Sequence, residues 1–114
     1  MDVEPGLADA AQLFKVLGSE PRLGLLRLIG VQPRTVGALA EVTGLSQPLV
    51  SQHLRTLRQA GLVTTTRSGK EVTYRLADLH VSHVIADALA HVREPAAVPV
   101  ADGESSENDQ KESS

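Results

Sequence analysis

There is no cysteine among the 114 residues, which removes disulfides, thiolate metal ligands and thiol redox switching together. Tryptophan is also missing, and Phe14 and Tyr74 are the only aromatic residues, too few to build a stacking platform for single-stranded nucleic acid. No apolar run approaches the roughly 18 residues of a membrane span, and no signal-peptide pattern opens the chain. A soluble, cytoplasmic protein without membrane attachment is expected. The chain carries no HExxH, no Ser/His/Asp arrangement and no glycine-rich phosphate loop, so an enzyme is not expected either.

What is present is organised by charge. The net charge of −3 hides a segregation, because residues 22–75 carry eight bases (Arg22, Arg27, Arg34, Arg55, Arg58, Arg67, Lys70, Arg75) against two acids, Glu41 and Glu71. From Asp102 onward five acids face one lysine. The middle reads as a surface for a polyanion, although an ordinary solvated face has the same composition. With 114 residues the chain has room for a single small core. Its organisation is expected to be a disordered N-terminus over 1–6, one domain over 7–95, and a disordered acidic tail over 96–114, where proline, serine and acid replace bulky apolar residues.

Within 7–95 the apolar period is helical for most of the length. Leu7, Ala11, Phe14 and Leu17 mark a first helix that stops at Gly18. Ser19 can cap a second, apolar helix with Pro21 in its first turn and Gly30 as its end. The segment Val31-Gln32-Pro33-Arg34 reads as a connector, and Thr35 can cap a short third helix that Gly44 terminates. Ser46 then caps a fourth helix, Gln47 to Ala60, with Pro48 in the first turn, where its missing N–H does no harm. Val50, Leu54 and Leu57 form the inner stripe of this helix. Gln47, Ser51, Gln52, Arg55 and Arg58 point away, offering amides, a hydroxyl and guanidinium groups of the kind that read base edges and hold phosphates. Two helices joined by Thr43-Gly44-Leu45 have the layout of a helix-turn-helix. After Gly61 the period changes to two: Leu62 to Thr66 and Glu71 to Leu76 flank the turn Arg67-Ser68-Gly69-Lys70, a β-hairpin with two cations, Arg67 and Lys70, at its tip. A hairpin placed directly after such a helix reads as the wing of a winged helix, whose cations sit on DNA phosphates or in the minor groove.

The last helix, Asp78 to Glu94, carries a different message. Val81, Val84, Ile85, Ala88, Leu89 and Val92 form one apolar stripe, and Pro95 closes the helix. At about 100° per residue His80 and His91 project only about 20° apart, with Glu94 about 40° to the other side of His80. Yet the rise of about 1.5 Å per residue separates the two histidines by roughly 16 Å, far beyond the approximately 2.0–2.2 Å reach of Zn(II). One helix cannot close that site. If a second copy lies antiparallel across a two-fold axis, Asp78 and His80 of one chain meet His91 and Glu94 of the other, and symmetry makes two identical sites. Two imidazoles and two carboxylates are a charge-balanced set for a tetrahedral divalent ion, suiting Zn(II), with Co(II) or Ni(II) as alternative occupants. Each residue also has a plainer explanation: Asp78 as an N-cap, the histidines and Glu94 as ordinary surface groups. It is the joint spacing that points to a metal. His83, about 60° from His80 around the helix, stands outside the donor set as a bystander or a supporting group.

These residues together resemble the ArsR/SmtB family of bacterial metal-sensing transcriptional repressors. SEPRLGLLRLI is similar to the family's second helix, LSQPLVSQHLRTLRQAGLV to its recognition helix, RSGKEVTYRLAD to its wing, and D-x-H followed after ten residues by H-x-x-E to the zinc site of members that sense on the C-terminal helix. The resemblance covers about Leu7 to Glu94. It implies a mainly helical winged helix-turn-helix of order α-α-α-α-β-β-α, a homodimer formed through the first and last helices, Zn(II) bound by Asp78, His80, His91 and Glu94, and a palindromic double-stranded operator that is held without metal and released with it. Where other members carry Cys-x-Cys in the third helix, this chain has Val36-Gly37-Ala38-Leu39, which argues against a thiolate sensor of arsenic, cadmium or lead. Two other function classes remain to be separated: a winged-helix module that binds DNA or protein constitutively with no effector, and a zinc hydrolase, which four ligands and the lack of an open position disfavour.

Overall fold

The structure is a computed structural model that describes residues 4–95. The order is α1 (Leu7–Leu17), α2 (Glu20–Val31), β1 (Arg34–Thr35), α3 (Val36–Thr43), α4 (Gln47–Gln59), β2 (Val63–Ser68), β3 (Glu71–Leu76) and α5 (Leu79–Arg93). The expected tail over 96–114 and the first three residues lie outside the described residues. Glu4 to Gly6 form a turn into α1, and the Glu4 carbonyl accepts from Leu7 N at 3.2 Å.

Helix starts follow their caps. Ser19 Oγ accepts from Arg22 N, Thr35 Oγ1 from Ala38 N and Ser46 Oγ from Leu49 N, each satisfying a first-turn donor that the helix itself leaves open. Gly44 ends α3 in the left-handed region at φ 77°, where a side chain would be strained. The Thr43 hydroxyl donates to the Leu39 carbonyl at 2.7 Å and accepts from Leu45 N at 3.2 Å, so one residue fastens the turn between α3 and α4 at both sides.

Three expectations need correction, the last of them at the hairpin turn. The stretch read as a connector, residues 31–34, begins in α2 at Val31 and runs into β1 at Arg34; β1 pairs antiparallel with β3 (Arg34 opposite Tyr74, Thr35 opposite Thr73) and completes a sheet of order β1-β3-β2. Pro33 disfavours helix at Gln32, which is extended at φ −163° and ψ 153°, and so delivers the chain to the sheet edge. A strand of two residues has no period to read. Gly30 does not end α2 but lies in its last turn; a Cβ there would sit 3.2 Å from Leu76 Cδ1, so the missing side chain lets β3 come close.

The hairpin runs in register from Val63 opposite Leu76 to Ser68 opposite Glu71. Its turn is therefore only Gly69-Lys70, with Gly69 at φ 63°, a conformation suited to a two-residue hairpin loop. Arg67 sits in the ladder opposite Val72 rather than in the turn. The core draws on every helix: Leu17 of α1, Leu25, Leu26 and Ile29 of α2, Leu39 of α3, Val50, Leu54 and Leu57 of α4, Val81 and Ile85 of α5, with Leu62 just ahead of β2 and Val63 at its start. α2 runs through the middle, packing on α1, α3, α4, α5 and β3.

Candidate DNA-binding face and metal donors

The core side of α4 fixes which side chains turn outward. With Val50, Leu54 and Leu57 fully buried, Gln52 and Arg55 lie opposite the core, and Ser51 and Arg58 stand on one flank at about 80–100° from Val50. Gln52, Arg55 and Arg58 are exposed and Ser51 is half-buried. Gln47 is exposed as well, but its Nε2 lies 3.8 Å from where a Gly37 Cβ would be, so it leans toward α3. Sequence reasoning passed over Pro48, Leu49 and Gln59, which are also exposed on α4. Angular position around the helix was the available signal for them, Gln59 lying about 180° from Val50.

On the wing, Arg67 and Lys70 are exposed. Arg75 belongs with them: it is exposed, and its Nε donates to Thr66 Oγ1 at 3.1 Å across the hairpin. Two of the eight bases do other work. Arg22 Nε donates to the Val16 carbonyl at 2.8 Å and Arg34 Nε to the Leu28 carbonyl at 2.9 Å, the latter oxygen also accepting from Gln32 N at 3.4 Å, so these half-buried guanidinium groups close the ends of α1 and α2. The free cations gather on α4 and the wing instead, with Arg27 on α2.

The four metal-donor candidates divide into two pairs. Asp78 Oδ1 accepts from His80 N at 2.8 Å and Val81 N at 3.3 Å as the N-cap of α5, and the same oxygen lies 3.5 Å from His80 Nδ1. These side chains are 58% and 93% exposed. His91 is in the last turn of α5 and Glu94 is its C-cap residue, both exposed. Among the described residues of one chain no three His, Asp or Glu side chains gather into a metal site. The geometry thus joins Asp78 to His80 and leaves His91 and Glu94 at the far end, as the helical rise requires.

The apolar stripe of α5 is not a single interface. Val81 and Ile85 are buried in the chain's own core, with Val84 and Leu89 packed against it, while Val92 is 73% exposed. The stripe therefore overhangs the core at its C-terminal end. There Ala88, Leu89 and Val92 form one wall of an apolar groove of about 490 Å³, with Leu23 and Gly24 of α2 as the other and Glu20, Arg27 and Arg93 at the rim. Phe14 of α1 is 60% exposed and Leu7 51%. At the other end of α5 a backbone bond from Ala77 N to the Leu62 carbonyl, 3.0 Å, ties the entry of α5 to the exit of α4, and Leu62 N donates in turn to the Leu57 carbonyl. Asp78 and His80 line a hollow together with Ala60, Gly61 and Leu62. This one donor pair and the end of the candidate recognition helix are neighbours.

Residues 19–65 match the family described as bacterial regulatory protein, arsR family. The HTH-type transcriptional repressor SmtB of Mycobacterium tuberculosis is 44% identical over 87 residues, which cover 76% of this chain and 64% of the relative; the chain thus spans less than two thirds of that repressor's length. The HTH-type transcriptional regulator NmtR of the same organism is 37% identical over 84 residues, 74% of this chain and 70% of the relative. A homodimeric winged helix-turn-helix DNA-binding domain from Mycobacterium bovis, solved by NMR and described as a possible ArsR-family transcriptional regulator, superposes with a TM-score of 0.71 at 28% identity, covering 81% of this chain and 88% of that one. The first two relatives are named as regulators of transcription and the third as a possible one, and no described helix is long and apolar enough to cross a membrane. On this sequence identity, this coverage and the shared winged helix-turn-helix, the chain belongs to the ArsR family of bacterial regulatory proteins.

Proposed function

We propose that the chain is a metal-responsive transcriptional repressor that binds palindromic operator DNA as a homodimer and lets go when Zn(II) occupies two intersubunit sites, each made of Asp78 and His80 from one copy and His91 and Glu94 from the other. The observation that carries this reading is the placement of the donors: two exposed pairs at opposite ends of α5, each too sparse to hold an ion alone. Exposed Leu7 and Phe14 on α1 and the groove beside Ala88, Leu89 and Val92 supply apolar surface for the second copy. Large exposed apolar patches of this kind mark association surfaces. Gln47, Ser51, Gln52, Arg55 and Arg58 face the major groove, and Arg67 and Lys70 hold phosphates beside it.

Zn(II) supplies charge and a preferred tetrahedral geometry; the protein supplies a reason for that geometry to matter. A ligand shifts an equilibrium only by its preference for one arrangement over the other. Clamping the two copies of α5 fixes their crossing. Through the Ala77–Leu62 and Leu62–Leu57 backbone bonds that crossing constrains where α4 ends, and hence the separation of two recognition helices that must match half-sites about 34 Å apart or a multiple of that. A coupling of about 1–3 kcal/mol changes operator affinity by roughly 5- to 150-fold.

The test is a titration of Zn(II) into the complex with a palindromic operator fragment at constant salt, followed by fluorescence anisotropy. Affinity falls within that range for the wild type, and His91→Ala holds DNA but no longer lets go. An affinity indifferent to zinc overturns the regulatory reading. One observation favours the rival, a DNA-binding module without an effector: Asp78 already serves α5 as its cap. Equilibrium dialysis separates the two, with at least one zinc per subunit for the sensor and less for the module.

A further inference from the structure

α5 carries two more groups of metal-binding chemistry that the proposed zinc sites leave unused. His83 and Asp87 are both exposed, and neither side chain makes a hydrogen bond or ion pair among the described residues. At about 100° per residue Asp87 projects about 20° from His80 and 40° from His91, so it lies on the donor face, and His83 is about 40° further round on the same side.

The dimer proposed above determines where these groups go. Facing His80 with the second copy's His91, and Asp78 with its Glu94, places the two-fold axis beside Ile85 and Ala86. Asp87 is about one residue past that axis. At about 1.5 Å per residue the two copies of Asp87 are then offset along the helices by only about 4 Å, and each His83 falls within about 2 Å, along the helix direction, of the other copy's Asp87. A two-fold axis normal to the plane of two antiparallel helices keeps every side chain on its own side of that plane. Both His83 and both Asp87 therefore lie on one side of the seam, the Asp87 pair near its centre and the His83 pair flanking it at about 8 Å from each other along the helices, within the span that two imidazole side chains leaning inward can bridge.

We propose that these four residues form a third divalent-cation site on the dimer axis, a site of two imidazole nitrogens and two carboxylate oxygens. The donor set suits Zn(II), with Co(II) as a spectroscopic substitute. It is a site that a single chain does not possess. Without a cation, two carboxylates brought this close repel each other; with one, the repulsion becomes a bridge, so occupancy tightens the dimer rather than releasing DNA. The inference rests on the proposed antiparallel pairing, but its donors are distinct from the four regulatory ones, and the two readings fail separately.

The experiment counts Zn(II) bound per dimer of the full chain after dialysis and elemental analysis, with sedimentation velocity on the same samples. The wild type is expected to hold three. His83→Ala and Asp87→Asn hold two and still release DNA on zinc, while His91→Ala holds one, and that ion still lowers the concentration at which the dimer dissociates. A wild-type count of two that His83→Ala leaves at two overturns the third site and leaves the sensor standing. A count of one that His83→Ala removes and His91→Ala does not supports the axial site and sinks the sensor.

Discussion

Asp78 has an observed role as a cap and a proposed one as a zinc donor, and the two are chemically separable. As N-cap it offers an oxygen to the backbone N–H groups of His80 and Val81, and asparagine caps a helix about as well as aspartate does. As a zinc donor it needs a carboxylate. Asp78→Asn is therefore expected to change thermal stability by no more than a few tenths of a kcal/mol while weakening Zn(II) uptake in equilibrium dialysis. Asp78→Ala should lose both, with about 1 kcal/mol of stability. Equal zinc uptake by wild type and Asp78→Asn would reduce Asp78 to a cap. Single-residue caps are legible in the sequence, because Thr35, Ser46 and Asp78 each stand just ahead of a helical apolar period. Arg22 and Arg34 are not: their acceptors, the Val16 and Leu28 carbonyls, lie on the preceding helix, and no local pattern announces that a guanidinium will turn back to a helix end.

Elements divide according to whether they have a period long enough to see. All five helices and both hairpin strands do; β1, with two residues, does not, and it exists because β3 offers it an edge. The stripe on α5 teaches a different limit. Periodicity shows that one face is apolar but not which neighbour covers it, and here the chain's own core takes Val81 and Ile85 and leaves Val92 out. The candidate DNA face is likewise split between two elements with different duties. Arg67→Ala with Lys70→Ala on the wing should weaken operator and random DNA alike and flatten the slope of log affinity against log salt by about 0.9 for each phosphate no longer neutralised. Gln52→Ala on α4 should leave the salt slope alone and cost about 1–3 kcal/mol of preference for the cognate base pair. Anisotropy titrations at several salt concentrations, on the operator and on scrambled duplex, separate the two outcomes. If the wing variant altered base preference instead, the wing and not α4 would be the element that reads sequence.

For the whole molecule, the metal, the DNA and the second copy are one problem. The separation of the donors is legible in the sequence, since roughly 16 Å between His80 and His91 on one rigid helix follows from helix geometry alone; the surface that pairs the copies is not. Phe14 is the residue to test. It is 60% exposed and lies outside the buried core, so Phe14→Glu should cost the monomer little and leave its far-ultraviolet circular dichroism unchanged. Placed against the apolar groove of a second copy, the same carboxylate would be desolvated without a partner, a cost of several kcal/mol. Sedimentation should then show a folded monomer at concentrations where the wild type is dimeric. Because ions that need two chains are linked to association by mass action, that monomer should lose zinc uptake and operator binding together, and raising its concentration should restore both in step. A monomeric Phe14→Glu that still took up one zinc per chain would mean that a single α5 closes a site by itself, and the proposal of donors shared between two copies would fall.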